Sequence, residues 1–329
     1  MPFVYLGGVD TFAVATMNSI QVLLFGKFQI LYSGAELAGI EGRKTQELLA
    51  YLLVYRSRAH AREVLAETLW GESQRSQTRK YLRQALWQVQ TALEPCIADD
   101  HTEPLVADPD WVQFNPVSSL WLDVAQFEEA YGRCQGMAGA ELDTACVTGL
   151  SRAVQLYRGD LLEGCYQDWC IFERERLQNM YLAMLDKLID WCLAHDECEV
   201  GLSYAEQILR YDRARERTHR RMMRLYYLAG DRTSALRQYA KLERALREEL
   251  NVKPSQRSVL LRDQIRADAV DGGPHSGGSA TRFEPGQRVP GQPCTDPRSH
   301  LRHLHESLTS MQRQIRLELE AIELALTET

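Results

Sequence analysis

Between residues 188 and 242 the chain repeats itself at a fixed interval. Leu188 and Met222, Gly201 and Ala235, Ala205 and Tyr239, and Ile208 and Leu242 are each 34 residues apart. That is the period of a stacked helix-pair repeat. No single pair of helices can cover its own apolar face, so neighbouring pairs must stack and share one core. The small residues Gly201 and Ala235 fit where paired helices approach, and the larger members fill the seam. Residues 117–269 continue this pattern as helix after helix, which sets the fold class as mainly α over that stretch.

Residues 19–116 follow a different rule. Ile20–Leu24 and Phe28–Leu31 flank Gly26-Lys27, the pattern of a small antiparallel pair. Three helices are expected next. The first, about Arg43 to Tyr55, carries Leu48, Leu49, Leu52 and Leu53 on one side. The second runs from about Ala61 to Trp70 and stops at Gly71, and the third from about Gln74 to Leu93. Leu105-Val106 and Val112-Gln113-Phe114 then bracket Asp108-Pro109-Asp110, as the arms of a hairpin do. Strands, three helices and a closing hairpin in this order make a winged helix-turn-helix.

The third helix is the candidate site. Leu82, Ala85, Leu86, Val89 and Leu93 share one face at helical spacing. The opposite face presents Gln77, Lys80, Gln84, Trp87 and Gln88, with Ser76 and Arg83 near its edge and Arg79 one residue from Lys80. Between Gln74 and Leu93 stand four cations, Arg75, Arg79, Lys80 and Arg83, and no Asp or Glu. The whole chain carries a net charge of −7, so this stretch reverses the local sign. An acid-free face of Gln, Lys and Arg suits the major groove of double-stranded DNA. There glutamine pairs with adenine, and arginine or lysine with guanine, while remaining cations and hydroxyls bind phosphate. The hairpin tip is acidic, so a strong grip on phosphate is not expected of it, and Trp111 is expected in the core.

These segments also resemble a known family. Gly26, Gly42–Leu53, Leu65–Glu72 and Tyr81–Leu86 are similar to the OmpR/PhoB-type winged helix of SARP-like regulators. Trp121–Glu128, Leu156–Gly164, Asp168-Trp169, Leu228–Tyr239 and Glu248–Ser255 are similar to the bacterial transcriptional activation domain, BTAD. The resemblance implies an N-terminal winged helix-turn-helix (α+β) followed by an all-α, tetratricopeptide-like domain. It also implies that the third helix enters DNA, that the hairpin is the wing, and that RNA polymerase is a partner of the helical half. Tetratricopeptide stacks bind partners along a concave groove and are not a catalytic device.

Other features bound the reading. The expected organisation is an arm over 1–18, the winged helix over 19–116, the helical domain over 117–269, a Gly/Pro/Ser-rich linker over 270–300 and a C-terminal helix over 301–329. Leu301, Leu304, Leu308, Met311 and Ile315, resumed at Leu319, Ile322 and Leu326, form a heptad seam with one stutter. Pairing of two copies is its expected use, with folding back onto the helical domain the other. From Arg210 to Arg224 there are seven arginines against Asp212 and Glu216. Arg213, Arg217, Arg220, Arg221 and Arg224 are the candidate partner contacts, set against a solvated face with internal ion pairs.

Eight cysteines occur without a Cys-x-x-Cys pair, so no disulfide framework or zinc ribbon is indicated. Cys192, His195 and Cys198 invite a metal reading, but buried thiol is the expected one. No phosphate-binding loop, dinucleotide fingerprint or His-Glu-x-x-His is present, and neither an enzyme nor a cofactor is expected. No membrane span is expected, and the localisation expected is cytoplasmic. The reading is therefore a DNA-binding transcription regulator that activates. The alternative is a tetratricopeptide-type interaction scaffold without specific DNA binding.

Overall fold

The computed structural model describes residues 20–71, 75–96, 104–115 and 120–270, which lie in one compact unit. The expected arm, the C-terminal helix and all of the linker but residue 270 fall outside the described residues.

The N-terminal sheet is ordered β3-β2-β1-β7. Strand β1 (Ile20–Leu23) runs antiparallel to β2 (Gln29–Tyr32), with Val22 opposite Ile30. Their alternation buries Ile20, Val22 and Ile30. The turn between them needs Gly26, whose φ of +84° strains a side chain. Short β3 (Ala35–Glu36) extends one edge, and β7 (Leu120–Leu122) lies parallel to β1 on the other.

Helix α1 (Arg43–Val54) is buried from Leu48 to Val54 without a break. Between α1 and α2 (Arg62–Trp70), His60–Ala61 forms β4. Helix α3 (Arg75–Leu93) follows. Strands β5 (Leu105–Ala107) and β6 (Trp111–Phe114) make the expected hairpin, with Leu105 opposite Phe114. Strand β4 adds a third strand, His60 opposite Val112. Asp108 sets the turn: its Oδ1 accepts from the backbone N–H of Asp110 at 2.9 Å and of Trp111 at 2.7 Å. The acidic tip is thus a turn former.

The rest is helical: α4 (Asp123–Arg133), α5 (Thr144–Leu156), α6 (Asp168–Ala194), α7 (Cys198–Tyr211), α8 (Glu216–Leu228), α9 (Arg232–Glu249) and α10 (Gln256–Ala267). All eight members of the 34-residue pairs are buried. A Cβ on Gly201 would stand 3.0 Å from both Cys192 Cβ and Leu225 Cδ1. Glycine therefore sets how closely α7 approaches α6 and α8. Asp143 and Asp231 cap α5 and α9, accepting from the N–H of Cys146 at 2.7 Å and of Ser234 at 2.8 Å.

The two halves share a core. Asp123, at the start of α4, accepts from Leu24 N at 2.8 Å and Phe25 N at 3.0 Å. The Phe25 ring packs 5.0 Å from Phe127 and 4.9 Å from Tyr157, centre to centre. Gly26 donates to Asp160 O at 2.9 Å and accepts from Glu163 N at 2.7 Å. Trp169 of α6 packs edge-on against Tyr51 of α1 at 5.1 Å, and Arg43 donates to the Gly164 carbonyl.

Candidate nucleic-acid interface

Helix α3 is held by one row of side chains and displays another. Leu82, Ala85, Leu86, Val89 and Leu93 are buried against the winged-helix core. On the outer side Gln77, Lys80, Arg83, Gln84 and Trp87 are exposed, Trp87 at 63%. The periodicity separates the two rows as expected. No carboxylate is carried on the helix itself, and among the described residues the one ion pair found there comes from outside it. Arg79 meets Glu63 of α2, and both side chains are more than two-thirds exposed. Exposed pairs of this kind contribute about 0–1 kcal/mol, so the Arg79 guanidinium remains available to an anion. Ser76 lies in the first turn, and its side chain falls outside the described residues.

Gln88 departs from this face. It is half-buried, and its Oε1 accepts from Thr45 Oγ1 at 2.7 Å. Thr45 sits at the start of α1, so the pair ties α3 to α1. At about 100° per residue, Gln88 stands between the outer row and buried Val89, where a long polar side chain reaches a neighbouring helix.

Trp111 corrects the sequence expectation. It is 50% exposed, not in the core. Val112 and Phe114 point inward at 0% and 5%, so the pleat sends Trp111 to the outer face of the wing with half-exposed Gln113 and exposed Val106. The alternation of residues 111–114 carried that signal. Arg62, also missed, anchors the wing by donating from Nη1 to Asp108 O at 2.8 Å.

The arginine-rich segment separates into two sets. Arg221 is 6% exposed and bonds Asp186 and Asp190 of α6. Arg215 donates to Asp186 at 2.6 Å. These two hold α8 to α6, and Arg221 is not on a surface a partner can reach. Arg213 lies 3.8 and 3.7 Å from Glu248 and Glu249. Arg217 and Arg224 are exposed and Arg220 half-exposed. In the Cys192 region, burial pushes the Cys192 thiol up to about 12. The exposed His195 ring stacks on Trp191 at 4.2 Å, with Nδ1 2.9 Å from the Trp191 carbonyl oxygen. No described helix is long and apolar enough to cross a membrane.

The described residues thus join a winged helix, whose third helix is exposed and cationic, to a tetratricopeptide-like helical stack. Residues 122–266 match the bacterial transcriptional activator domain, and the chain carries that domain. The regulatory protein AfsR of Streptomyces coelicolor is 26% identical over 207 residues, covering 63% of this chain and 20% of AfsR. The solved structure of Mycobacterium tuberculosis EmbR in complex with a low affinity phosphopeptide superposes with a TM-score of 0.57 at 19% identity. That match covers 76% of this chain and 65% of that one, and it supports the fold. The chain thus spans about a fifth of AfsR and about two-thirds of the EmbR chain.

Proposed function

We propose that this chain is a sequence-specific DNA-binding transcription regulator that activates. In this reading α3 enters the major groove at short repeats beside a promoter, and Gln77, Lys80, Arg83 and Gln84 face the bases. Arg79 and Ser76 take phosphate, and Trp87 packs against the backbone at the rim. The helical domain contacts RNA polymerase, and two copies pair through residues 301–329 so that two readers meet two half-sites. The work is done in the cytoplasm, on the nucleoid.

One observation carries the reading: the exposed side of α3 is cationic and amide-bearing, carries no carboxylate, and stands opposite a fully buried apolar row. A scaffold helix has no need for that exclusion of acid. The matched activator domain beside it supports a role in transcription.

The test is retardation of promoter DNA by the full chain. Lys80→Ala and Arg83→Ala are expected to weaken specific binding by about 1–3 kcal/mol each, with circular dichroism and melting temperature unchanged. Affinity is expected to fall steeply as salt rises, because neutralised phosphates release counterions. Parental affinity in both variants overturns the assignment of the reading face.

A further inference from the structure

Helix α8 is enclosed by its neighbours on every side but one. Thr218, His219, Arg221, Met222, Met223, Leu225 and Tyr227 are buried. The row left to solvent is Arg217, Arg220 and Arg224, spaced i, i+3, i+7, so the outward stripe of the helix is arginine. Arg220 Nη1 donates to Ser258 Oγ at 3.2 Å, which sets the stripe beside the start of α10, where Arg257 is exposed.

Among the described residues, the two carboxylates that pair with the stripe are already engaged. Asp190 lies 3.5 Å from Arg217 but also bonds buried Arg221. Glu216 lies 3.7 Å from Arg220, yet its oxygens accept from Ser255 N at 3.0 Å and from both the Ser255 and Ser258 hydroxyls. Glu216 thereby caps α10. Arg220 feels the surplus of cations: burial first, then Arg257, Arg224 and Arg217 hold its pKa below the ordinary arginine value, against the pull of Glu216. Beside Arg257, one turn along α10, Leu260 is 53% exposed.

We infer that Arg217, Arg224 and Arg257, with Arg220 between them, form a docking surface for an acidic amphipathic helix of a partner protein. The match is one of charge and period. Arg217 to Arg224 spans seven residues, about 10 Å of helix, and carboxylates at i, i+3 and i+7 on a facing helix repeat at the same interval. Leu260 decides against nucleic acid as the occupant. A phosphate backbone gains nothing from an exposed leucine, whereas an amphipathic helix covers it with its own apolar edge. The inference rests on the proposed role of the helical domain as the partner-contacting arm and gives that partner its chemistry.

The probe is a fluorescein-labelled helical peptide of two Glu/Leu heptads, titrated against the full chain and followed by anisotropy, with a Gln-for-Glu peptide as control. The parent is expected to bind the Glu peptide at least tenfold more tightly than the control and to weaken as salt rises. The triple variant Arg217→Gln, Arg224→Gln, Arg257→Gln keeps the buried Arg221 pairs and is expected to lose at least tenfold in peptide affinity. Its affinity for promoter DNA is expected to stay at the parental level. Equal peptide binding by parent and triple variant overturns the inference. So does a triple variant that loses duplex DNA affinity while its peptide binding is unchanged. Failure of the DNA-reading assignment shows separately, as parental DNA affinity in Lys80→Ala and Arg83→Ala.

Discussion

Asp123 gathers three backbone donors on one buried carboxyl group: Leu24 and Phe25, just past the end of β1, and Val124 at 2.7 Å from its own helix. Burial lifts its pKa from the ordinary 3.8 to about 6, outweighing the N–H bonds that favour the ionised form. The folded value is the higher one, so between about 4 and 6 the native chain holds this proton and the unfolded chain does not. Its contribution to stability therefore falls as pH rises through that window. Urea denaturation at several pH values is expected to show the decline in the parent and a flatter profile in Asp123→Asn, which does not titrate. Gln88 gives a second test at this scale. Because its carbonyl serves Thr45, Gln88→Ala is expected to cost about 1 kcal/mol of stability and to leave DNA affinity within twofold of the parent. A loss of DNA binding as large as that of Arg83→Ala returns Gln88 to the reading face. Trp111 marks where the sequence was misleading, and Gln88 a residue whose neighbour the sequence did not reveal. A helical wheel does not reveal which neighbour a residue at the edge of a face will meet. For Trp111 the size and apolarity of tryptophan outweighed the strand parity set by Val112 and Phe114.

At the level of elements, what was legible followed from local periodicity. The first three helices lie within about two residues of their expected limits, because each carries an unbroken apolar row and a clear stop. The hairpin was legible from Asp108-Pro109-Asp110 between two alternating runs. Strands β4 and β7 were not. They have two and three residues, too few to show a period, and they exist only because partners distant in sequence, Val112 and Val22, lie beside them. The 34-residue repeat was legible because it recurs, and Gly201 was its most informative member. In Gly201→Val the branched side chain would meet Cys192 and Leu225, neither of which has room to withdraw. Overpacking of this kind costs about 1–3 kcal/mol. Chemical denaturation is expected to show that loss with no change in the slope of the transition. An unchanged midpoint means α7 has slack that its neighbours do not suggest.

At the scale of the molecule, the winged helix and the helical stack are joined by packing as well as by sequence. Strand β7, from the segment between them, completes the N-terminal sheet, and the β1–β2 turn docks on Asp160 and Glu163. Arg43 reaches Gly164, and Trp169 wedges against Tyr51 and Tyr55. In the proposed reading, a partner that binds the stack pulls on a body to which α3 is tied through α1 and the Thr45–Gln88 bond. This coupling has a direct signature. Residues 20–270 are expected to unfold in a single cooperative step, with hydrogen exchange of α3 and α8 converging on the same opening free energy as denaturant rises. Trp169 is 7% exposed, and Trp169→Ala is expected to cost about 3–5 kcal/mol. Because much of that loss falls on the seam, the α1–α3 amides are expected to open before those of α8 and α9 in the variant. If the variant still opens in one step, contacts other than Trp169 carry the coupling; if the parent already opens in two, the seam does not couple the halves. In the proposed reading, contact with a partner would then reach DNA only by tethering.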